Sequence, residues 1–386
     1  MALDFRMAPF LIIWETTRSC ALACKHCRAE AILRRDPDEL STEEAKRLLD
    51  DAAAMGTPIF IFSGGDALNR EDLEELIRHG KRRGLRLGAV PAATPQLTFE
   101  RIRSLKEAGL DQIAFSLDGP DATTHDAFRG VEGAFAKTLE GVSYAHAVGL
   151  PLQINTCFAA WNFPLLEDMV KLVKSLNIAF WEVFFLVPMG RGARMKGLSP
   201  KQFEIVFERL HHLNEEMPFV IKVTEAPHYR KFVIQKEIVA EALGETAGLK
   251  ERIQHILARP RGVRGGIGLA PHAINSGKGF IFVDHIGNVY PSGFVPIVVG
   301  NVREEPLEDI YRNSPLLLRL RNRYSLKGKC GRCEFAGICG GSRARAYALT
   351  GDVFASDPSC DYVPRPRKAV QATPVGAHCT DQGALV

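Results

Sequence analysis

No stretch of this chain is apolar enough over a sufficient length to cross a bilayer. The most apolar run, AFWEVFFLVPMG at 179–190, is broken by Glu182, and a spanning helix needs about 20 such residues. The first twenty residues lack a basic start followed by an apolar core, so no secretory signal is read there. Charge of one sign is missing too: 49 Lys and Arg face 45 Asp and Glu, for a net charge of +4. That excess is too small to predict a nucleic-acid partner. No repeat stands out beyond strand–helix units. These absences predict a soluble, cytoplasmic protein with no membrane and no nucleic acid among its partners. In that compartment nine cysteines do not predict a disulfide framework. Their clustering, at 20, 24 and 27 and at 330, 333, 339 and 360, predicts metal sites instead.

At 386 residues with 46% hydrophobic content, the chain can fill one large core with an appendage, or two cores. Its first two hundred residues alternate strand-like and helix-like segments. PFLIIWE (9–15) and PIFIFS (58–63) read as buried strands. STEEAKRLLDDAAAMG (41–56) opens on Ser41 and Glu44 at capping-box spacing and stops at Gly56. Six such βα units between residue 9 and about 217 predict a parallel sheet with crossover helices. Periodicity alone leaves a partial barrel and an open doubly wound sheet both standing. KGFIFVDHIGNVYPSG predicts a hairpin turning around His285–Asn288.

RSCALACKHCRAE (18–30) places Cys20, Cys24 and Cys27 at C-x3-C-x2-C directly after the first strand. Thiolates suit iron–sulfur clusters and zinc. Three of them leave a four-iron cluster with one open iron; a zinc site would need a fourth ligand such as His26. Other polar groups gather at the C-terminal ends of later strands, where α/β ligand sites lie. FSGGDAL (62–68) offers Gly64 and Gly65 for close backbone approach and Asp66 for an ammonium group, or simply makes a tight turn. In FSLDG, Ser116 and Asp118 share a strand face, as do Gln153, Asn155 and Cys157 in LQINTC. Polar side chains on one face of central parallel strands are unusual, because such strands are normally buried on both faces.

With His26 at the aromatic position of the cysteine motif, this constellation resembles the radical S-adenosylmethionine (SAM) superfamily. The resemblance covers about residues 8–217. It implies a partial (β/α)6 TIM-like barrel and a [4Fe-4S] cluster held by Cys20, Cys24 and Cys27. SAM then chelates the fourth iron, and its reductive cleavage gives a 5′-deoxyadenosyl radical that abstracts hydrogen from a substrate. By the same resemblance Gly64-Gly65-Asp66 stands for the family's GGE at the SAM amino group. Ser116 and Asp118, and more loosely Asn155, match positions near the SAM ribose or carboxylate. Arg129 of HDAFRG matches a carboxylate-holding position, although a solvated arginine at a helix end explains it as well.

Cys330-x2-Cys333-x5-Cys339-x20-Cys360 makes a closed set of four, compatible with zinc. The stretch resembles the SPASM or twitch extension of radical SAM proteins, which implies auxiliary [4Fe-4S] clusters. Ser292 and Arg343 stand where that pattern usually carries further cysteines. One auxiliary cluster, on Cys330, Cys333, Cys339 and Cys360, is therefore expected, for electron transfer. The domain reading is a radical SAM core at 8–217, a linker or helical region at 218–270, a small cysteine-rich auxiliary-cluster domain at 271–365, and a tail at 366–386.

For the substrate, NVYPSGFVPIVVGNVRE, FFLVPMGRG and CGGSRARAYALTGD resemble the branch containing alternative haem and haem d1 biosynthesis enzymes. That implies a tetrapyrrole side chain as the site of attack. Lys250, Arg252, Arg259, Arg261 and Arg264 fit propionate carboxylates, or form a solvated basic loop. A ribosomal peptide is the alternative substrate, weakened by the lack of an extension before the first strand. A non-catalytic metal-binding protein is the third reading, and it predicts no SAM cleavage. An electron donor such as flavodoxin or ferredoxin is the expected protein partner. Glu182 is a candidate for proton transfer or for pairing with an arginine. Cys157 reads as a core thiol, and His378-Cys379 as a chance pair in the tail.

Overall fold

The computed structural model describes residues 4–242 and 273–365. The basic residues at 250–264 and the tail pair His378-Cys379 lie outside the described residues.

The alternation read from the sequence is realised as a parallel sheet wrapped by helices. β1 (Leu11–Glu15), β2 (Ile59–Ser63), β3 (Arg86–Ala89), β4 (Gln112–Ser116), β5 (Leu152–Phe158), β6 (Phe180–Phe185) and β7 (Val220–Thr224) lie side by side in chain order. Each pairs in parallel with the next. Short parallel strands of this kind need crossover helices, and α1 (Thr42–Ala54), α2 (Leu73–Arg82), α3 (Phe99–Ala108), α4 (Ala122–Arg129), α5 (Ala134–Ala147), α6 (Leu166–Ser175) and α7 (Pro200–Glu216) supply them. The Ser41–Glu44 capping box starts α1 as its spacing predicts. Thr98 caps α3, and Gly109 ends it in the left-handed conformation.

The sheet goes further than six strands. β7 follows immediately after α7, and α8 (His228–Ala242) follows β7. β8 (Phe280–Val283) adds in parallel to the free side of β1, with Ile13 opposite Phe282. β9 (Asn288–Tyr290) turns back on β8 as the predicted hairpin, and β10 (Gly300–Asn301) closes that edge. The strand order therefore runs β10-β9-β8-β1-β2-β3-β4-β5-β6-β7 and ends at β7, which makes an open, partial barrel.

The two faces of the strands do different jobs. Ile12, Trp14, Phe60 and Phe62 point outward and are fully buried beneath the helices, against stripes such as Leu48, Leu49, Leu76 and Ile77. Each such side chain contributes about 2 kcal/mol of burial. Leu11, Ile13, Ile59 and Ile61 point inward and line a cavity. Beyond the sheet, α9 (Leu307–Asn313), α10 (Pro315–Arg321), α11 (Gly328–Arg332) and α12 (Arg343–Thr350) carry the second cysteine group. Arg345 anchors α12 to the barrel by donating to the Glu225 carbonyl after β7 (2.6 Å). Among the described residues no helix is long and apolar enough to cross a membrane.

Candidate active site

The loop after β1 carries Cys20, Cys24 and Cys27, and neighbouring βα loops hold it at very close range. Gly65 N donates to the Thr17 carbonyl (2.7 Å) and Asp66 N to the Ser19 carbonyl (2.7 Å). A Cβ on Gly65 would stand 2.4 Å from the Ser19 carbonyl, and one on Gly64, at φ +147°, 2.6 Å from that of Thr17. Only glycine permits this approach. On the opposite side the end of α4 pairs with the loop: Ala23 N donates to the Arg129 carbonyl and Lys25 N to that of Phe128, each at 3.0 Å. The turn after β6 completes the clamp, with Arg191 N donating to the Cys27 carbonyl (3.0 Å) and Arg191 Nε to that of Cys24 (2.9 Å).

All three cysteines line the interior cavity, whose volume is about 1010 Å³. Burial pushes the Cys20 thiol up to about 12, so a metal must displace that proton for the sulfur to act as a ligand. His26 lines the same cavity, stacked on Phe128 at 4.6 Å. Burial lowers its pKa to about 4, which leaves the ring neutral. Arg129 reaches in from the end of α4. It donates to Cys24 Sγ (3.5 Å) and pairs with Asp118. Burial would raise the Asp118 carboxyl, but the Arg129 guanidinium outweighs this and holds it below its ordinary value.

Of the residues named from sequence, Gly64, Gly65, His26, Arg129 and Asn155 line the cavity together with the three cysteines. Asp118 lies beneath them: besides its Arg129 pair it accepts from Cys157 N (2.7 Å). Ser116 ends β4, half-buried and opposite Asn155 in register. Asp66 is fully buried, and its carboxylate accepts from Leu68 N (3.1 Å), Ala92 N (3.2 Å) and Thr94 Oγ1 (2.5 Å). It thereby ties the loop after β2 to the loop after β3. Burial pushes the Cys157 thiol up, in keeping with a core role.

Deeper in the cavity a polar ladder crosses four strands. Gln153 accepts from Gln112 (2.9 Å) and Lys222 (3.1 Å), and donates to Asn155 (2.7 Å) and Glu182 (2.5 Å). Thr224 also donates to Glu182 (2.7 Å). Glu182 thus faces the interior, with Lys222 rather than an arginine opposite it in register. Lys222 Nζ lies 4.1 Å over the Phe180 ring, and burial lowers its pKa. Lys222 and Arg191 went unnamed in the sequence reading. Their signals were present: a lysine on an alternating strand, and an arginine between glycines just past a strand end.

Several buried donors at this site have no partner: His26 Nδ1, Arg129 Nε and Arg191 Nη2. Unsatisfied buried donors cost about 1–3 kcal/mol each, and these belong to residues that line the cavity beside three soft thiols. A negatively charged iron–sulfur group with a carboxylate-bearing ligand matches that set. The second group fits a cluster as well. Cys330, Cys333, Cys339 and Cys360 line one small cavity. Asp357 N donates to Cys330 Sγ (3.4 Å), and Gly341 N donates to Cys339 Sγ (3.3 Å). Arg343 reaches Cys330 Sγ at 3.8 Å while binding the carbonyls of Val353 and Ala355. Ser292 is fully buried and accepts from Phe294 N (3.0 Å).

Residues 14–187 match the model of the radical SAM superfamily, and residues 275–334 match that of an iron–sulfur cluster-binding domain, SPASM. The chain is 39% identical over 92% of its length to the AdoMet-dependent heme synthase of Nitratidesulfovibrio vulgaris, covering 93% of that protein. It is 29% identical over 91% of its length to the pre-heme d1 synthase of Dinoroseobacter shibae, covering 85% of it. To the PqqA peptide cyclase of Rhodopseudomonas palustris it is 28% identical over 92%, covering 88%. Its fold resembles that of Streptococcus suis SuiB bound to S-adenosylmethionine, with a TM-score of 0.68 at 15% identity, over 92% of this chain and 78% of that one.

Proposed function

The chain belongs to the radical SAM superfamily and is an enzyme of that kind with an iron–sulfur SPASM region; on that premise we propose that its substrate is an iron tetrapyrrole, attacked on a propionate side chain. When bound, the [4Fe-4S] cluster and SAM supply a 5′-deoxyadenosyl radical on one-electron reduction, which takes hydrogen from the substrate.

The chain's own residues prepare for this. Cys20, Cys24 and Cys27 would hold three irons and leave the fourth to SAM. Arg129 and Arg191, which line the cavity and each have a buried nitrogen without a partner, would carry the negative charge of cluster and carboxylate. Gly64 and Gly65 let the SAM amino group lie against backbone. In this reading Asp66 acts by fixing the loop through Thr94, Ala92 and Leu68. Ser116 and Asn155 would border the ribose end, and Asp118 sets the direction of Arg129.

One observation carries the substrate class: the lining of the cavity. Its volume of about 1010 Å³ includes the room beside Cys20, Cys24 and Cys27 that the cluster and SAM would take. Its walls include Ile13, Ile61, Phe280 and Phe282, and Lys222, Arg28 and Arg191 also face it. Apolar walls with scattered cations suit a macrocycle bearing carboxylates. The 39% identity to a protein named for heme synthesis supports the same reading. The four cysteines around Cys330 would hold one auxiliary [4Fe-4S] cluster as an electron relay. A cytoplasmic donor such as flavodoxin or ferredoxin would supply the electron.

A ribosomal peptide is the second reading, supported by similarity to a peptide cyclase. The test is SAM turnover by the reconstituted enzyme in the presence of either class. An iron porphyrin bearing propionates is expected to be consumed with formation of 5′-deoxyadenosine and loss of propionate carboxyl or hydrogen by mass spectrometry. If such porphyrins neither bind nor change while a peptide does, the tetrapyrrole reading fails.

A further inference from the structure

His228 opens α8 and is 1% exposed. Phe203 and Phe207 pack against its ring at 5.0 and 4.8 Å. Neither ring nitrogen has a hydrogen-bond partner. Its acidic neighbour, Asp357 Oδ2, stands 4.0 Å from Nδ1, too far to accept a hydrogen bond, and the cations of Arg345, Lys231 and Lys329 also act on the ring. Asp357 is in any case engaged by Ser342 N (2.9 Å). A buried imidazole with both nitrogens unmatched calls for a missing partner. His228 lines the same small cavity as Cys330, Cys333, Cys339 and Cys360.

Resting on the reading of that cavity as an auxiliary iron–sulfur site, we propose that His228 donates a ring N–H to a sulfur of the cluster and raises its reduction potential. The chemistry is general. Sulfur carries more negative charge in the reduced cluster, so a donor aimed at it stabilises that state. Gly341 N and Asp357 N already donate to the cysteine sulfurs from the backbone. His228 adds a donor from a side chain, which a substitution can remove. It is a positioning and tuning residue, and it does not touch substrate.

The test uses the full chain carrying Cys24→Ala, so that only the auxiliary cluster is present, with 15N-histidine incorporated. Pulsed EPR of the reduced cluster should show a 15N coupling that His228→Phe and His228→Gln both abolish. Redox titration should give a lower midpoint potential for His228→Phe, with partial recovery in His228→Gln, whose amide can donate. Should His228→Phe fail to hold iron, the coupling and its loss in His228→Gln decide the matter. A cluster with no histidine coupling, or with an unchanged potential in every variant that holds it, overturns the role of His228. A chain with no cluster signal at all overturns the auxiliary-site reading itself.

Discussion

The two cysteine groups are built from the same ligand and put to opposite uses. Cys20, Cys24 and Cys27 line a large cavity inside the barrel, whereas Cys330, Cys333, Cys339 and Cys360 line a separate, much smaller one. The first group supplies three thiols beside unpartnered cationic donors. The second supplies four, with backbone N–H groups already aimed at the sulfurs. An incomplete ligand set facing a chamber leaves a coordination position for a reacting molecule. A complete set in a tight cavity leaves none, and suits a group that only passes electrons. The way each loop is held follows the same division. Gly64 and Gly65 bring the loop after β2 against the first group, while Arg343 braces the second by binding carbonyls around it.

The largest effect that would break this comparison comes from exchanging one thiol in each group. Cys24→Ala should lose one cluster's iron and reduce 5′-deoxyadenosine formation to background. Cys339→Ala should lose the other cluster's iron and halt substrate conversion, yet still cleave SAM measurably. Equal loss of cleavage in both would erase the distinction, as read by product chromatography. Next comes the buried pair beneath the first group. Arg129→Met leaves Asp118 as an uncompensated buried charge and should cost about 3 kcal/mol in urea unfolding. Adding Asp118→Asn should restore part of that stability.

Lys222→Met tests the chamber itself. It should weaken binding of a propionate-bearing iron porphyrin about tenfold, a loss near 1.4 kcal/mol, in a Soret titration. The smallest effect lies at the seam between β1 and the β8–β9 turn, where His285 contacts Glu15 (3.1 Å) and Asp36 (3.4 Å), and Glu15 also pairs with Arg28. Burial opposes protonation of His285, but these carboxylates outweigh it and raise its pKa above 6.5. Its stabilising contribution is therefore complete below about pH 6.5 and is lost as pH rises through the raised value. Stability should fall across that window, and His285→Gln should flatten the dependence.

Much of this was legible in the sequence because it is local. Cysteine spacing, the GG turn, the capping box of α1 and the βα alternation are each written within a few residues. What escaped depends on distant partners. β7 is five residues long and is separated from the end of α7 by only three residues. β8 reads correctly as one arm of a hairpin, but nothing local says that its other edge pairs with β1. Asp66 reads as an acid offered to a ligand; Thr94 and Ala92, from the loop after the next strand, engage its carboxylate. Gln153 and Asn155 were placed on a polar face by alternation, whereas Lys222 joins them only once β7 is beside β6.

The most direct test of the central claim is anaerobic reconstitution of the intact chain, with iron and sulfide counted and 5′-deoxyadenosine measured after adding SAM and dithionite. About eight irons per chain, as two four-iron clusters require, together with 5′-deoxyadenosine, is the predicted result. Zinc in place of iron, or a fully loaded chain that leaves SAM intact, would contradict it.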